Sequence, residues 1–325
     1  MLLKNLFISL SQNKLLNDMA QKYGDKLGAQ TVVAGETIDE MIQSIHELNR
    51  VGISATIDNL GEFVDRKEDA THAKEQILQV IDAIHENELD AHISLKPTQL
   101  GLGIDFDFCL HNLEEIVGRA HQFNIFVNID MEDHLNLQPS FDLFDQLLKT
   151  YDNVGTVIQA YFYRAKDDVR EYKDERLRLV KGAYKESEEV AYQNKHDIDQ
   201  HFIELIEYHL IHGKFTSIGT HDHRVINHVK EFADRKGISK KQFEFQMLYG
   251  FRNELQHQLA NEGYQFCTYV PFGHDWYGYF MRRLAERPQN INLVAKQVFT
   301  KKTNTMIAIG VGAFILGRLS KRRRK

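Results

Sequence analysis

The chain has 325 residues, 42% hydrophobic and 26% charged, the proportions of an ordinary soluble globular protein. That length suits two small domains or one large barrel, and only four prolines leave no room for long spacers. The net charge is −6, but residues 301–325 hold eight Lys or Arg and no acid, so residues 1–300 carry −14, which argues against a nucleic-acid groove.

Met1-Leu-Leu-Lys opens an amphipathic helical stretch over residues 1–50, not a continuous apolar secretory signal. Two cysteines, Cys109 and Cys267, cannot build a disulfide framework and suit a reducing, cytoplasmic compartment. From residue 51 onward, β-rich runs recur at 55–61, 92–98, 125–132, 156–162, 177–184, 216–222, 243–250 and 266–273. Between them, segments such as 69–87 and 111–123 place apolar residues at three-and-four spacing with charges opposite. Strand and helix alternating eight times predicts a parallel sheet closed into a (βα)8 TIM-type barrel over residues 51–300. The competitor is a doubly wound open sheet, which normally has a Gly-rich turn after its first strand. Here that strand ends Asp58-Asn-Leu-Gly-Glu62, and neither Gly101-Leu-Gly103 nor Gly310-Val-Gly312 has the GxGxxG spacing.

In such barrels chemistry gathers where strands end. Strand periodicity places Ser94 and Lys96 on one side of the second run, with Leu95 opposite. Asn128, Asp130 and Glu132 share a face of the third. Gln159 lies in the fourth, Thr220-His221-Asp222 closes the sixth, and Glu244 and Gln246 alternate against Phe243, Phe245 and Met247 in the seventh. The fifth run, Leu177-Arg-Leu-Val-Lys-Gly-Ala-Tyr184, puts Arg178 and Lys181 on opposite faces unless one sits at the rim or the strand bends near Gly182.

The last run leads from Tyr269-Val-Pro-Phe-Gly273 into a short helical pattern that Pro288 stops. On it Tyr279, Arg282 and Glu286 stack at helical spacing with Arg283 alongside, an acid-held guanidinium pair able to grip a carboxylate or phosphate. The plainer reading of an Arg-Arg pair is a solvated face. Tyr269, Trp276, Tyr277 and Tyr279 crowd this one with aromatic rings that a solvated face does not need.

Seven segments together resemble the proline dehydrogenase family: Ser94-Leu-Lys-Pro-Thr98, Ile129-Asp-Met-Glu-Asp133, Val157-Ile-Gln-Ala-Tyr161, Arg178-Leu-Val-Lys-Gly-Ala-Tyr184, Thr220-His-Asp222, Phe245-Gln-Met-Leu-Tyr-Gly250 and the stretch from Tyr269 to Pro288. The resemblance implies a distorted eight-stranded barrel that holds FAD non-covalently over its mouth. It implies oxidation of L-proline to 1-pyrroline-5-carboxylate by hydride transfer to flavin N5, with electrons passed on to a quinone. No protein nucleophile is required. The substrate carboxylate falls to Arg282, Arg283 and Lys96, with Asp130 and Glu286 holding that clamp, and the ring falls to Tyr184, Leu248, Tyr269 and Tyr279. The cofactor falls to Gln159, Arg178, Lys181, Gly182, Ala183, Thr220, His221, Gln246 and Glu286. Relatives that continue into an aldehyde dehydrogenase domain are longer, so a monofunctional protein is expected. Lys185-Glu186-Ser187 stands where some relatives place a Trp beside the cofactor.

Residues 306–317 form a twelve-residue apolar run followed by Arg318-Leu-Ser-Lys-Arg-Arg-Arg-Lys325. That is short of the ~20 apolar residues of a spanning helix, yet an apolar stretch ending in cations suits an anionic lipid surface. Peripheral attachment to the inner membrane face through residues 303–325 is the expectation, with a helix packed on the barrel as the plainer reading. Two further readings of the site are a metal-assisted hydrolase using His221 and His223 and a non-catalytic barrel whose arginine pair holds an anion.

Overall fold

The computed structural model describes residues 33–61 and 63–273 together with Trp276 and Tyr279. Residues Ala34–Gly273 form one compact unit, and residues 1–33 and 274–325 belong to a second. Arg282, Arg283, Glu286 and the tail at 303–325 lie outside the described residues.

Helix α1 (Ile38–Asn49) begins at a reciprocal cap: Glu40 N donates to Thr37 Oγ1 at 3.3 Å and Thr37 N to Glu40 Oε2 at 3.2 Å. The chain then alternates β1 (Ser54–Asn59), α2 (Lys67–Glu86), β2 (Ala91–Leu95), α3 (Phe106–Gln122), β3 (Val127–Ile129), α4 (His134–Leu148), β4 (Val154–Gln159), α5 (Ala165–Glu171), β5 (Arg176–Val180), α6 (Lys195–His212), β6 (Phe215–Gly219), α7 (His223–Lys236), β7 (Phe243–Leu248), α8 (Asn253–Asn261) and β8 (Gln265–Phe272). A 3-10 turn, Pro97–Leu100, follows β2. Each strand pairs in parallel with the next, and β1 pairs with β8, closing an eight-stranded barrel. The open-sheet alternative is thereby excluded.

Outward positions of the strands are apolar and buried beneath the helices, among them Ile57, Ile93, Leu95, Ile129, Ile158, Leu179, Ile218, Phe245 and Val270. Each contributes about 1.5–3 kcal/mol by leaving water, so the core is the shell between sheet and helices. The lumen, by contrast, is polar. Arg178 of β5 reaches Thr56 of β1 on the far wall, and Arg176 of β5 reaches Glu244 of β7, contacts that only inward-facing side chains can make.

The strands end earlier than their sequence runs suggested, because several polar residues belong to the loops above them. Lys96 follows β2, Asp130 and Glu132 follow β3, Lys181 follows β5, and Thr220 and His221 follow β6. Three helices that follow mouth-side loops start from side-chain caps, with Asp133, Asn194 and Asp222 accepting from backbone amides at the starts of α4, α6 and α7. Of the expected alternation Asn128, Asp130 and Glu132, only Asn128 lies within β3. With the pleat finished at Ile129, Glu132 turns to Thr98, accepting from its amide at 3.0 Å and its hydroxyl at 2.5 Å. The fifth run resolves by both devices. Arg178 faces the lumen, Lys181 stands at the rim, and the backbone turns at Gly182 with φ +110°. A Cβ at Gly182 would also meet the Tyr161 ring at 2.4 Å, so glycine is required twice over.

Candidate active site

At the C-terminal end of the barrel, three strand ends bring one cation and two carboxylates together. Lys96 Nζ lies 2.8 Å from Asp58 Oδ2 and 3.7 Å from Asp130 Oδ2. Tyr269, from β8, directs its hydroxyl at the same acids, 2.7 Å from Asp58 Oδ2 and 2.9 Å from Asp130 Oδ2. One layer down, Arg178 donates to Asp130 Oδ1 at 2.7 Å, to Ser94 Oγ at 2.8 Å and to Thr56 Oγ1 at 3.0 Å, with its guanidinium 5.3 Å from the Tyr269 ring centre. Ser94 and Asn128 complete the shell of Asp130.

Charge explains the ionisation of this set. Burial opposes the charge on Lys96, but Asp58 and Asp130 outweigh it and hold the ammonium above the usual lysine range. Burial likewise opposes ionised Asp130, and Arg178 and Lys96 overcome it, keeping the carboxyl below its usual range. Tyr269 is driven well above the ordinary phenol value by burial and then by the two carboxylates, so it stays protonated. Lower in the lumen, Glu244 Oε1 accepts from Arg176, Ser217 and Gln246. Nearby His92 is pushed well below the imidazole range by burial and by Arg176 and Arg178.

Of the residues expected to meet substrate, Lys96, Asp130 and Tyr269 are thus in direct mutual contact. Tyr184 is half-buried and acts electrostatically on Lys96, which places it beside this group. Leu248 ends β7, where its amide donates to His221 Nε2 at 3.4 Å. Tyr279 is buried.

Of the residues expected around a cofactor, Arg178 is paired with Asp130, Glu286 lies outside the described residues, and the others fall at the ends of β4 to β7. Gln159 is buried and donates to the Glu132 carbonyl at 2.7 Å. Thr220 is buried and its hydroxyl accepts from Asp222 N at 3.1 Å. Gly182 is half-buried and Ala183 exposed. Lys181 lies 2.6 Å from Asp199 and 3.6 Å from Asp222, while Lys195 pairs with Asp199 and Arg224 with Asp222. An anion placed at Lys181 would therefore share its ammonium with those two carboxylates. The donor set fits a flavin. Arg178 Nε and Gln246 Oε1 are buried with no hydrogen-bond partner among the described residues, a donor and an acceptor of the kind that the polar edge of an isoalloxazine would satisfy.

Two carboxylates of this constellation were not singled out in the sequence, Asp58 and Asp199. Asp58 could have been found from the alternation of Thr56 and Asp58 in β1, whereas Asp199 lies on α6 and carries no local signal. The proposed metal pair does not form as expected. β6 ends at Gly219, so His221 is in a loop and His223 opens α7 instead of sharing a pleat face. Among the described residues no three His, Cys, Asp or Glu side chains are grouped to hold a metal ion.

A family profile described as "Proline dehydrogenase" matches residues 41–296. The chain is 44% identical over 304 residues to "Proline dehydrogenase 2" of Bacillus subtilis, covering 93% of this chain and 100% of that protein. It is 41% identical over 275 residues to "Proline dehydrogenase" of Deinococcus radiodurans, covering 82% of this chain and 89% of that one. Among solved structures, proline utilization A from Bdellovibrio bacteriovorus superposes with a TM-score of 0.73 at 23% identity, over 79% of this chain and 32% of that one, a likeness of fold. With a barrel whose mouth carries Lys96, Asp130 and Tyr269, and with these matches over most of its length, the chain belongs to the proline dehydrogenase family of enzymes.

Proposed function

We propose that the chain oxidises L-proline to 1-pyrroline-5-carboxylate using non-covalent FAD and passes the electrons to a quinone. The observation that carries this reading is the buried cation set at the barrel mouth, in which Lys96 pairs with Asp58 and Arg178 with Asp130 beside the Tyr269 hydroxyl. Lys96 meets the substrate carboxylate together with Arg282 and Arg283, the two assigned by their motif, with Glu286 as their acid partner. Three oriented cations hold one carboxylate in a single pose, which turns an encounter into a positioned reaction. Tyr184, Leu248, Tyr269 and Tyr279 wall the ring and exclude water from the carbon that reacts.

Gln159, Arg178, Lys181, Gly182, Ala183, Thr220, His221, Gln246 and Glu286 hold the cofactor. FAD supplies, when bound, a two-electron acceptor for the hydride that leaves the ring carbon beside nitrogen. Arg178 contributes a fixed positive charge where negative charge gathers on reduction. Residues 51–300 make up the catalytic barrel, and residues 303–325 attach the protein to the inner membrane face, where a lipid-soluble acceptor is found. The metal-dependent and purely anion-binding readings are not favoured by the family match or by the donor set at the mouth.

The reading is tested by adding proline without oxygen to the purified protein and following the flavin spectrum. Bleaching by L-proline supports it. A colourless protein, or a yellow one indifferent to proline, contradicts it.

A further inference from the structure

Asp58 ends the inward-facing series of β1 and is 1% exposed. Its Oδ2 accepts from Lys96 Nζ at 2.8 Å and from Tyr269 Oη at 2.7 Å. Its Oδ1 is buried with no hydrogen-bond partner among the described residues. The two acids at the mouth divide the cations between them. Asp130 Oδ1 is taken up by Arg178, Ser94 and Asn128, and Asp130 Oδ2 is 3.7 Å from Lys96. Asp58 is therefore the close counter-charge of Lys96. A lysine ammonium is a compact charge on a flexible four-carbon stem, so its direction depends on the group that fixes its head. Without Asp58, the Lys96 head has Tyr269 Oη at 3.4 Å and Asp130 already committed to Arg178. Tyr269 is bound to the same carboxylate oxygen, so one group orients both a charge and a ring wall.

We propose that Asp58 is a positioning residue for the reaction, which aims the Lys96 ammonium and the Tyr269 hydroxyl and thereby sets recognition of the substrate carboxylate. This rests on the reading in which Lys96 meets that carboxylate. Asp58 acts through Lys96, so its removal weakens ligands that carry a carboxylate and spares those that do not.

The test uses the flavin-loaded enzyme with Asp58→Asn, which keeps the shape of the side chain and removes its charge. Truncating one member of a buried charged pair leads to a KM for proline raised about thirtyfold or more, with kcat changed less than about threefold. Inhibition by cyclopentanecarboxylate weakens in parallel, whereas inhibition by pyrrolidine, which has no carboxylate, stays within about twofold of wild type. In a Lys96→Met background the same substitution shifts KM much less than in wild type, since the Lys96 interaction is already gone and only the Tyr269 contact remains to be lost. Equal weakening of both inhibitors, a fall in kcat at unchanged KM, or the full KM effect persisting in Lys96→Met would each overturn the assignment. Lys96→Met alone separates two failures. An unchanged KM there overturns the substrate reading and the role of Asp58 with it, while a raised KM there beside a normal KM in Asp58→Asn overturns the role of Asp58 alone. Should Asp58→Asn not fold, Asp58→Glu keeps the charge, displaces it by one methylene and gives the same comparison between the two inhibitors.

Discussion

Replacing Arg178 by Met is expected to lower the melting temperature by roughly 6–10 °C at neutral pH. Arg178 is 4% exposed and donates to Asp130, Ser94 and Thr56, so its removal leaves a buried carboxylate short of its nearest cation. Breaking a buried pair on one side costs about 3–5 kcal/mol, and burial this complete allows little relief by solvent screening. A chain of this size loses about 2 °C per kcal/mol, which gives the interval above. Lys96, 3.7 Å from Asp130, remains to neutralise part of the charge and places the value toward its lower end. The pH dependence is a second, independent readout. Arg178 and Lys96 hold Asp130 below its usual range against the opposing effect of burial, so the stability it confers is present above the unfolded carboxylate value of about 3.9. That stability is lost as pH falls through the lower folded value. The gap between wild type and Arg178→Met should therefore narrow as the medium is acidified below about pH 4. Circular dichroism melts at pH 7 and across that acid window measure both effects. A neutral-pH shift under about 2 °C, or a gap that stays constant into acid, would refute the reasoning.

Arg282→Met and Arg283→Met are each expected to raise the KM for proline at least about tenfold while flavin stays bound, because the pair is assigned to substrate and not to cofactor. Steady-state kinetics beside the visible spectrum check this, and normal proline affinity in both variants removes the clamp. His209 is buried, bonded to Thr216, and lowered by burial to about 4. A histidine held neutral in the fold loses stability as pH drops from its unfolded value near 6.5 toward 4, on the order of 3 kcal/mol in all. Denaturation of His209→Gln should accordingly show a flatter pH profile over that window than wild type, and an unchanged slope counts against the assignment. Deleting residues 303–325 is expected to leave turnover with a water-soluble acceptor intact and to abolish co-sedimentation with anionic lipid vesicles. Continued sedimentation of the shortened protein rules out the tail as the anchor.

The barrel was legible because its signals are short-range. Eight apolar runs separated by helical patterns survive any uncertainty in their ends, and period-two alternation correctly placed Ser94 beside Lys96 and Glu244 beside Gln246. Strand ends were less legible, since β propensity continues into loops that tertiary contacts have already bent. Glu132 shows the consequence, for it lies three residues past the end of β3 and its carboxylate binds Thr98 in the turn after β2. The motifs separated Arg178 into the cofactor group and Asp130 into the substrate group. In the fold the two form one ion pair, so a change on either side reaches the other. Asp58 was hidden for a different reason. The alternation of Thr56 and Asp58 marks its face, but its partners Lys96 and Tyr269 lie 38 and 211 residues away, so what it binds has no local signal. The same distance effect hides Asp199, the counter-charge of Lys181, which lies on α6 18 residues away.

The central claim is that cations held by buried acids at this mouth position a small cyclic amino acid for oxidation by a bound flavin. Anaerobic titration with L-proline, followed at the flavin absorbance bands, addresses it most directly. Stoichiometric bleaching in wild type, shifted to much higher proline concentration in Lys96→Met, is the expected result. Absence of flavin, or bleaching equally sensitive to proline in both proteins, would contradict the account.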